Sequence, residues 1–377
     1  MKVLMISPTY DPILGGAEYV IKSLTDKLNE QDIQTDVMAF NMDKIWYPKW
    51  KNQIVYKDNS KIYRIKAFNL FQSTSFNPTR FLFNVNIFTD LSFRKIFREY
   101  DILHFHNDID LSFPLYSGKT DQPKLFHCHT LDGNFPFYKN RLLWKRLFRM
   151  SSDYFLGCCK PTIEMLKELG LADDRIKQIP YSVDTDLYKP AYEEKVDNLV
   201  LFAARIEHRK GLHVLLKSLN YLKTPITLII LPIYAGQDYA DLIEGMIKEH
   251  NQRGPHQVVV KENVSGEELI PYYQKASLFI CPSLYDLFPT VNPQSMACGT
   301  PVIASDIGGM SELIIDDETG MLVPPEDPVK LAEAINHLLG DPELLEKCSK
   351  QGRELVLEKY SLNSVLKQLI NFYEEII

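Results

Sequence analysis

Short, continuous apolar runs alternate with stretches of helical periodicity along this chain, and that alternation restricts its fold more than any other feature. The first run is Lys2–Ser7, which leads into a Pro-containing loop and Gly15-Gly16. Ala17 to Leu28 follows, with Val20, Ile21, Leu24 and Leu28 at helical spacing. Further strands are expected at Asp36–Phe40, Lys61–Ala67, Ile102–His106, Lys124–His129, Tyr154–Cys159 and Ile176–Ile179. Helical patterns at Lys139–Met150 and Pro161–Glu168 lie between them, the second opening on a proline suited to a first helical turn. The other half repeats the theme. Its strands are expected at Leu199–Ala204, Thr227–Leu231, Gln257–Val260, Leu278–Cys281 and Pro301–Ser305. Its helices are expected at Leu212–Leu222, Tyr239–His250, Val329–Leu339 and Pro342–Glu358. Strands that are apolar throughout belong to parallel sheets covered on both faces. The pattern therefore predicts two open, mostly parallel, doubly wound α/β domains.

At 377 residues the chain has room for two such domains of roughly 150 residues or more each. Pro190 and a charged run interrupt the pattern near Tyr188–Val196, which suggests domains over 1–190 and 191–360. Charge divides at the same place. Residues 1–190 carry 26 Lys and Arg against 22 Asp and Glu, while 191–377 carry 16 against 27, giving +4 and −11 of the net −7. A negative total argues against a nucleic-acid binder. The 45% apolar and 24% charged content excludes disorder and collagen-like structure. No run of 18 apolar residues occurs, and Met1–Ser7 is too short for a signal-peptide core. Six cysteines without paired CxxC or Cys/His spacing point to a reducing, cytoplasmic setting.

Ligands of doubly wound sheets bind at strand carboxyl ends, so chemistry is sought there. Gly15-Gly16-Ala17-Glu18 opens the first helix, where two glycines let backbone N–H groups approach an anion; a tight turn alone needs the same residues. The GxGxxG fingerprint is absent, which counts against a nicotinamide enzyme. Arg205 and Lys210, after the first strand of the second half, can converge on one phosphate-sized anion, or form a solvated basic loop. Asp286 and Gln294 span a strand-to-helix turn, a spacing that suits sugar hydroxyls and also an ordinary helix entry.

The second half resembles the family-four retaining glycosyltransferases of GT-B fold over nearly its whole length. The resemblance is carried by RIEHRKGLHVLLKSL, VSGEELIPYYQKASLFICPSLYD, QSMACGTPVIASDIGGMSELI and DDETGMLVPPEDPVKLAEAI, in order. The first half matches through SPTYDPILGGAEYVIKSL, DILHFHN and IPYSVDTDLYKP. Such a resemblance implies two Rossmann-like domains facing across a deep cleft, with the C-terminal helix, 361–377, packing back on the first domain. It assigns Arg205 and Lys210 to the donor diphosphate, with Gly15 and Gly16 against the same phosphates. Asp286 would contact the transferred sugar, Gln294 the ribose, and Val264 the base, with Thr290 and Val291 also lining the donor. His106 would face the anomeric carbon, although a lone strand histidine is more often structural. Tyr10, Glu18 and His129 are the acceptor-side candidates.

Two departures stand out. The family's paired acids are here a shortened Asp286 and a neutral Gln294, which forgoes a charge-assisted bond worth on the order of 1 kcal/mol. The usual Gly-rich turn is Leu287-Phe288-Pro289-Thr290, and Pro289 offers no N–H. Asp108/Asp110 and Asp184/Asp186 match a metal–diphosphate pattern, but Arg205 and Lys210 supply the positive charge, so both read as solvated and no metal or cofactor is expected. In 139–150, Arg141, Lys145 and Arg149 form one row, and Leu143, Leu147 and Met150 form the other side with Trp144 and Phe148. That helix either lies on an anionic membrane or packs on its own domain. The expectation is a retaining hexosyltransferase using a nucleotide diphosphate sugar. Its acceptor would be a polysaccharide, glycan or lipid-linked saccharide, at the cytoplasmic face of a membrane. The alternative is a non-catalytic nucleotide-sugar-binding partner subunit of another transferase.

Overall fold

A computed structural model describes the chain apart from residues 12–15, 41, 45–46, 49–52, 58, 66–67, 70–85, 88–92, 107–117, 119, 130–138, 235–236 and 265. Gly15, Asp108 and Asp110 lie outside the described residues.

The apolar runs pair as two large sheets. The first holds β1 (Lys2–Ser7), β2 (Gln34–Phe40), β3 (Gln53–Lys57), β4 (Ser60–Ile65), β5 (Ile102–His106), β6 (Lys124–Cys128), β7 (Tyr154–Gly157) and β8 (Ile176–Gln178). Their spatial order is β8-β7-β6-β5-β1-β2-β4-β3. Every pairing is parallel except β3 with β4, an antiparallel hairpin at the edge. The second sheet is wholly parallel. It contains β9 (Leu199–Ile206), β10 (Thr227–Tyr234), β11 (Gln257–Val260), β12 (Leu278–Cys281), β13 (Val302–Ser305) and β14 (Gly320–Val323), in the order β11-β10-β9-β12-β13-β14.

Burial explains the strand composition. Val3 to Ile6 of β1 and Leu278 to Ile280 of β12 are at most 1% exposed, so both faces of each strand are covered and neither alternates. Among the helices, α1 (Gly16–Glu30), α2 (Arg94–Phe97), α3 (Leu142–Ser151) and α4 (Lys160–Glu168) belong to the first half. The second half contributes α5 (Leu212–Ser218), α6 (Gln237–Arg253), α7 (Ile270–Lys275), α8 (Val291–Ala297), α9 (Met310–Leu313), α10 (Pro328–Gly340) and α11 (Pro342–Leu355). The last helix is α12 (Leu362–Ile376). Two cores result, one around Leu4, Phe105, Phe126 and Phe155, the other around Phe202, Leu215, Ile280 and Ile335.

The chain divides into two compact units, Met1–Tyr181 with Val365–Ile377, and Ser182–Ser364. This division comes before the composition break at 190, because the intervening segment is already tied into the second unit. The Arg353 guanidinium donates to the Tyr188 carbonyl at 2.7 Å and to that of Thr185 at 3.1 Å. Lys195, part-buried, donates to the Ala276 carbonyl at 2.8 Å. Within the first unit, residues of α12 are fully enclosed at Leu369 and Tyr373. All six cysteines are buried free thiols.

Candidate functional site

In the second sheet the strand order reverses between β9 and β12: the chain steps outward to β10 and β11, then returns to the other side of β9. The carboxyl ends at such a reversal are where an open sheet leaves a crevice for a ligand. β9 runs past Ala204 and carries Arg205 near its end, and one 3₁₀ turn, His208–Lys210, then delivers Lys210. From the end of β12 the chain reaches Asp286 before α8 begins.

These residues meet. Lys210 Nζ and the Asp286 carboxylate form an ion pair with side chains only 15% and 17% exposed. Arg209 lies 3.7 Å from the same Asp286 oxygen and donates from Nε to Glu207 at 2.8 Å. Arg205, half exposed, meets the other Glu207 oxygen at 3.0 Å. Three cations and two carboxylates leave this cluster with one net positive charge. Arg209 and Glu207 were not singled out from the sequence, although they stand in the same short segment as Arg205 and Lys210. Their position between the two cations was the available signal.

Two glycines permit the approach of the loops. Gly211 has φ +71°, and a Cβ there would fall 1.8 Å from the Pro282 carbonyl oxygen. Gly308, at φ +54°, would place a Cβ 2.3 Å from the Asp286 backbone carbonyl oxygen and 2.4 Å from that of Leu287. Gly309 then donates its N–H to Leu287 at 2.8 Å. The backbone at Asp286 is thus set by close contact with the loop after β13, a requirement that only glycine meets.

The remaining donor-side candidates are less open. Thr290 caps α8 without a side-chain bond to it, and Val291 begins the helix; both are part-buried. Gln294 is 6% exposed and accepts a long hydrogen bond, 3.5 Å, from the Tyr273 hydroxyl. Val264 is part-buried in the loop after β11. Asp184 serves its own turn, accepting from the backbone N–H groups of Asp186 and Leu187 at 3.0 and 3.1 Å.

In the first unit the order reverses between β1 and β5. Gly16 opens α1 in an exposed position, and Glu18 accepts from the Thr9 hydroxyl. Tyr10 is 5% exposed beneath the Arg64 guanidinium, whose carbon is 5.9 Å from the ring centroid. His106 is 1% exposed. Its Nδ1 lies 3.0 Å from His129 Nε2, and its Nε2 lies 3.2 Å from Met5 Sδ. His129 in turn meets the Tyr181 hydroxyl at 2.8 Å. Burial and the neighbouring imidazoles hold His106 and His129 well below the usual histidine range, so both are neutral at pH 7. They can exchange hydrogen bonds with each other but offer no fixed charge.

The sequence grouping on α3 needs correction. Phe148 is fully buried in the core, whereas Leu142, Leu143 and Met150 are 84%, 64% and 64% exposed. At 100° per residue, Leu143 and Phe148 stand about 140° apart, so they do not share a side. Outward-facing Leu142, Leu143 and Met150 instead share the exposed surface with Arg146 and Arg149.

Comparison with known proteins bears on both halves. The family model for glycosyl transferases group 1 matches residues 184–355, and that for glycosyltransferase family 4 matches 14–187. A D-inositol 3-phosphate glycosyltransferase of Xylanimonas cellulosilytica is 29% identical over 269 residues, which is 64% of this chain and 64% of that enzyme's own length. The O-antigen chain mannosyltransferase C of Escherichia coli is 24% identical over 395 residues, covering 100% of this chain and 99% of its own. The structure of Anabaena HepE in complex with UDP-glucose superposes with a TM-score of 0.76 at 17% identity, covering all of both chains.

Proposed function

The chain belongs to the group 1 glycosyltransferases of family 4, with the GT-B fold, and on that premise we propose that it transfers a hexose-type sugar from a nucleotide diphosphate sugar to an acceptor hydroxyl with retention of configuration. One observation carries this reading: Arg205, Arg209 and Lys210 gather with Glu207 and Asp286 in one ion-pair cluster at the reversal point of the second sheet. The charge that grows during such a transfer is on the departing diphosphate, and preorganised cations there stabilise it. Arg205 and Lys210 take that role, so the donor is handled without a metal. Asp286 orients the sugar ring, Gln294 the ribose, and Val264, Thr290 and Val291 line the donor. Retention follows if the leaving phosphate accepts the acceptor's proton on the same face, a route that needs no protein nucleophile. The UDP-glucose held by HepE supports a nucleotide-sugar donor. The whole-length match to an O-antigen mannosyltransferase supports a polysaccharide or lipid-linked acceptor. No helix among the described residues is long and apolar enough to cross a membrane. The exposed Leu142, Leu143 and Met150 of α3 support reaching a membrane-held acceptor from the cytoplasmic surface.

A binding-only partner subunit is the second reading, favoured by a Gln294 that is neutral, nearly enclosed and turned to Tyr273. Ligand-detected NMR against UDP-, GDP- and ADP-sugars separates the two. Binding of one donor with slow release of free sugar supports the transferase, and Lys210→Ala should then abolish turnover. Donor that binds yet stays intact with every acceptor offered supports the second reading. Unchanged turnover in Lys210→Ala would remove the diphosphate assignment.

A further inference from the structure

Four imidazoles stack on one face of β5 and β6. His104 and His106 lie 4.1 Å apart between ring centroids, and His127 and His129 lie 4.6 Å apart. His106 and His127 are partners in the parallel register, which brings the two pairs side by side. His104, His106 and His127 are each at most 1% exposed.

Hydrogen bonding does not account for this cluster. His104 Nε2 and both nitrogens of His127 are buried without a partner. The Ile179 backbone is near enough to favour a protonated His127, yet neither ring nitrogen reaches it in hydrogen-bonding geometry. A buried polar atom left unsatisfied is costly; since a neutral imidazole pairs one N–H with one lone pair, His104 Nε2 and one nitrogen of His127 call for an occupant that accepts lone pairs.

We propose that His104, His106 and His127 hold a single late transition-metal ion, Cu(I) in preference to Zn(II), with the Met5 thioether as a neighbouring donor. Donor nitrogens of the three histidines all lie within 4.8 Å of one another. Side-chain rotations that draw them to the about 3.3 Å spacing of ligands on one ion complete the site. The outer contacts of such a site are already in place: the Tyr373 hydroxyl meets His104 Nδ1 at 2.7 Å, and His129 Nε2 meets His106 Nδ1 at 3.0 Å. Partners of this kind fix which nitrogen faces a metal. Imidazole with thioether selects soft or borderline ions and rejects magnesium, calcium and manganese. The group contains no carboxylate or thiolate, so a divalent ion would bring two uncompensated charges into the core. Because the cost of burying charge grows with its square, a monovalent ion suits this donor set better. This ion takes no part in holding the donor phosphates.

The test is anaerobic titration of the full-length protein with Cu(I) against a chromophoric chelator, beside parallel Zn(II) and Mn(II) titrations. One equivalent of Cu(I) is expected, with nitrogen and sulfur scatterers in its X-ray absorption spectrum. His127→Val should weaken binding at least a hundredfold without lowering the Tm of the metal-free protein, because valine suits a buried strand and removes two orphaned nitrogens. Met5→Leu should weaken Cu(I) while leaving any Zn(II) binding unchanged. Tighter binding of Zn(II) than of Cu(I) would overturn the choice of ion. Less than a fifth of an equivalent of either ion, or affinities that both variants leave unchanged, would overturn the site; should His127→Val fail to fold, the wild-type absorption spectrum decides.

Discussion

Lys210 cannot give its full charge to a diphosphate while it is paired with Asp286, so the ion pair that organises this site also competes with its ligand. Both side chains are mostly covered, which keeps the attraction from being fully screened by water. Asp286→Asn keeps the shape, removes the competing charge and leaves Lys210 to the phosphates. The expected result is about fivefold tighter binding, equivalent to about 1 kcal/mol, of the nucleoside diphosphate whose sugar the protein takes, with slower transfer if Asp286 orients the sugar as proposed. Calorimetry on the variant and on wild type measures the first, and initial rates measure the second. Weaker binding of that nucleoside diphosphate in the variant would mean that Asp286 steadies Lys210 for the phosphate rather than competing for it. Arg205 and Lys210 were candidates from their place at a strand's carboxyl end, where a solvated basic loop read equally well, and the family resemblance gave them the diphosphate. Their partners could not be named: which carboxylate meets Lys210 depends on Gly211 and Gly308 letting two distant loops touch, and periodicity carries no information about that contact.

Element by element, legibility followed burial. β5 and β12 have the bounds read from their apolar runs, because strands enclosed on both faces leave an unbroken signal. β11 also has its expected bounds, through the β-branched Val258–Val260, although it is a part-buried edge strand. The β3–β4 hairpin was missed in part, since β3 is exposed, with Ile54 at 53% and Tyr56 at 73%, and carries no core stripe. β14 was missed because it opens on Gly320 and holds only one β-branched residue, Val323, so it lacks the strand signal of the equally short β11 and β12. On α3 the periodicity was visible but its direction was not. A helix with apolar residues on two sides must send one side outward, and only packing settles that Phe148 goes in while Leu142, Leu143 and Met150 go out. An outward face of leucine, methionine and arginine suits an anionic lipid surface, where each basic residue contributes about 1 kcal/mol. Arg146→Glu with Arg149→Glu should therefore release the protein from vesicles containing acidic phospholipid, while turnover of a soluble acceptor stays within about twofold. Sedimentation with vesicles of neutral and acidic composition reads this directly. Equal binding to both compositions, or no response to the charge reversal, would leave α3 as an ordinary surface helix.

At the scale of the molecule, α12 departs from simple chain order: it begins at the end of the second unit, and from Val365 onward it belongs to the first. Its apolar stripe could be read from sequence, but the destination of that stripe came only from the family resemblance. Helical spacing specifies that a face is buried, not which sheet buries it. In the structure Tyr373 is fully enclosed, with its hydroxyl 2.7 Å from His104 Nδ1, and Phe372 sets its ring edge-on to Tyr154 at 5.6 Å. These contacts cover the same sheet face that carries the histidine cluster. Tyr373→Ala should consequently destabilise the first unit by about 3–5 kcal/mol, the usual cost of emptying a buried aromatic site. It should also leave His104 with no partner on either nitrogen. The second unit contains none of these contacts and should keep its nucleotide affinity. Hydrogen exchange followed by mass spectrometry separates the outcomes: amides of β5 and β6 should lose protection in the variant, while those of β9 and β12 remain as in wild type. A uniform loss across both sheets would show that the two units unfold as one, and that the last helix stabilises the whole molecule rather than the unit it joins.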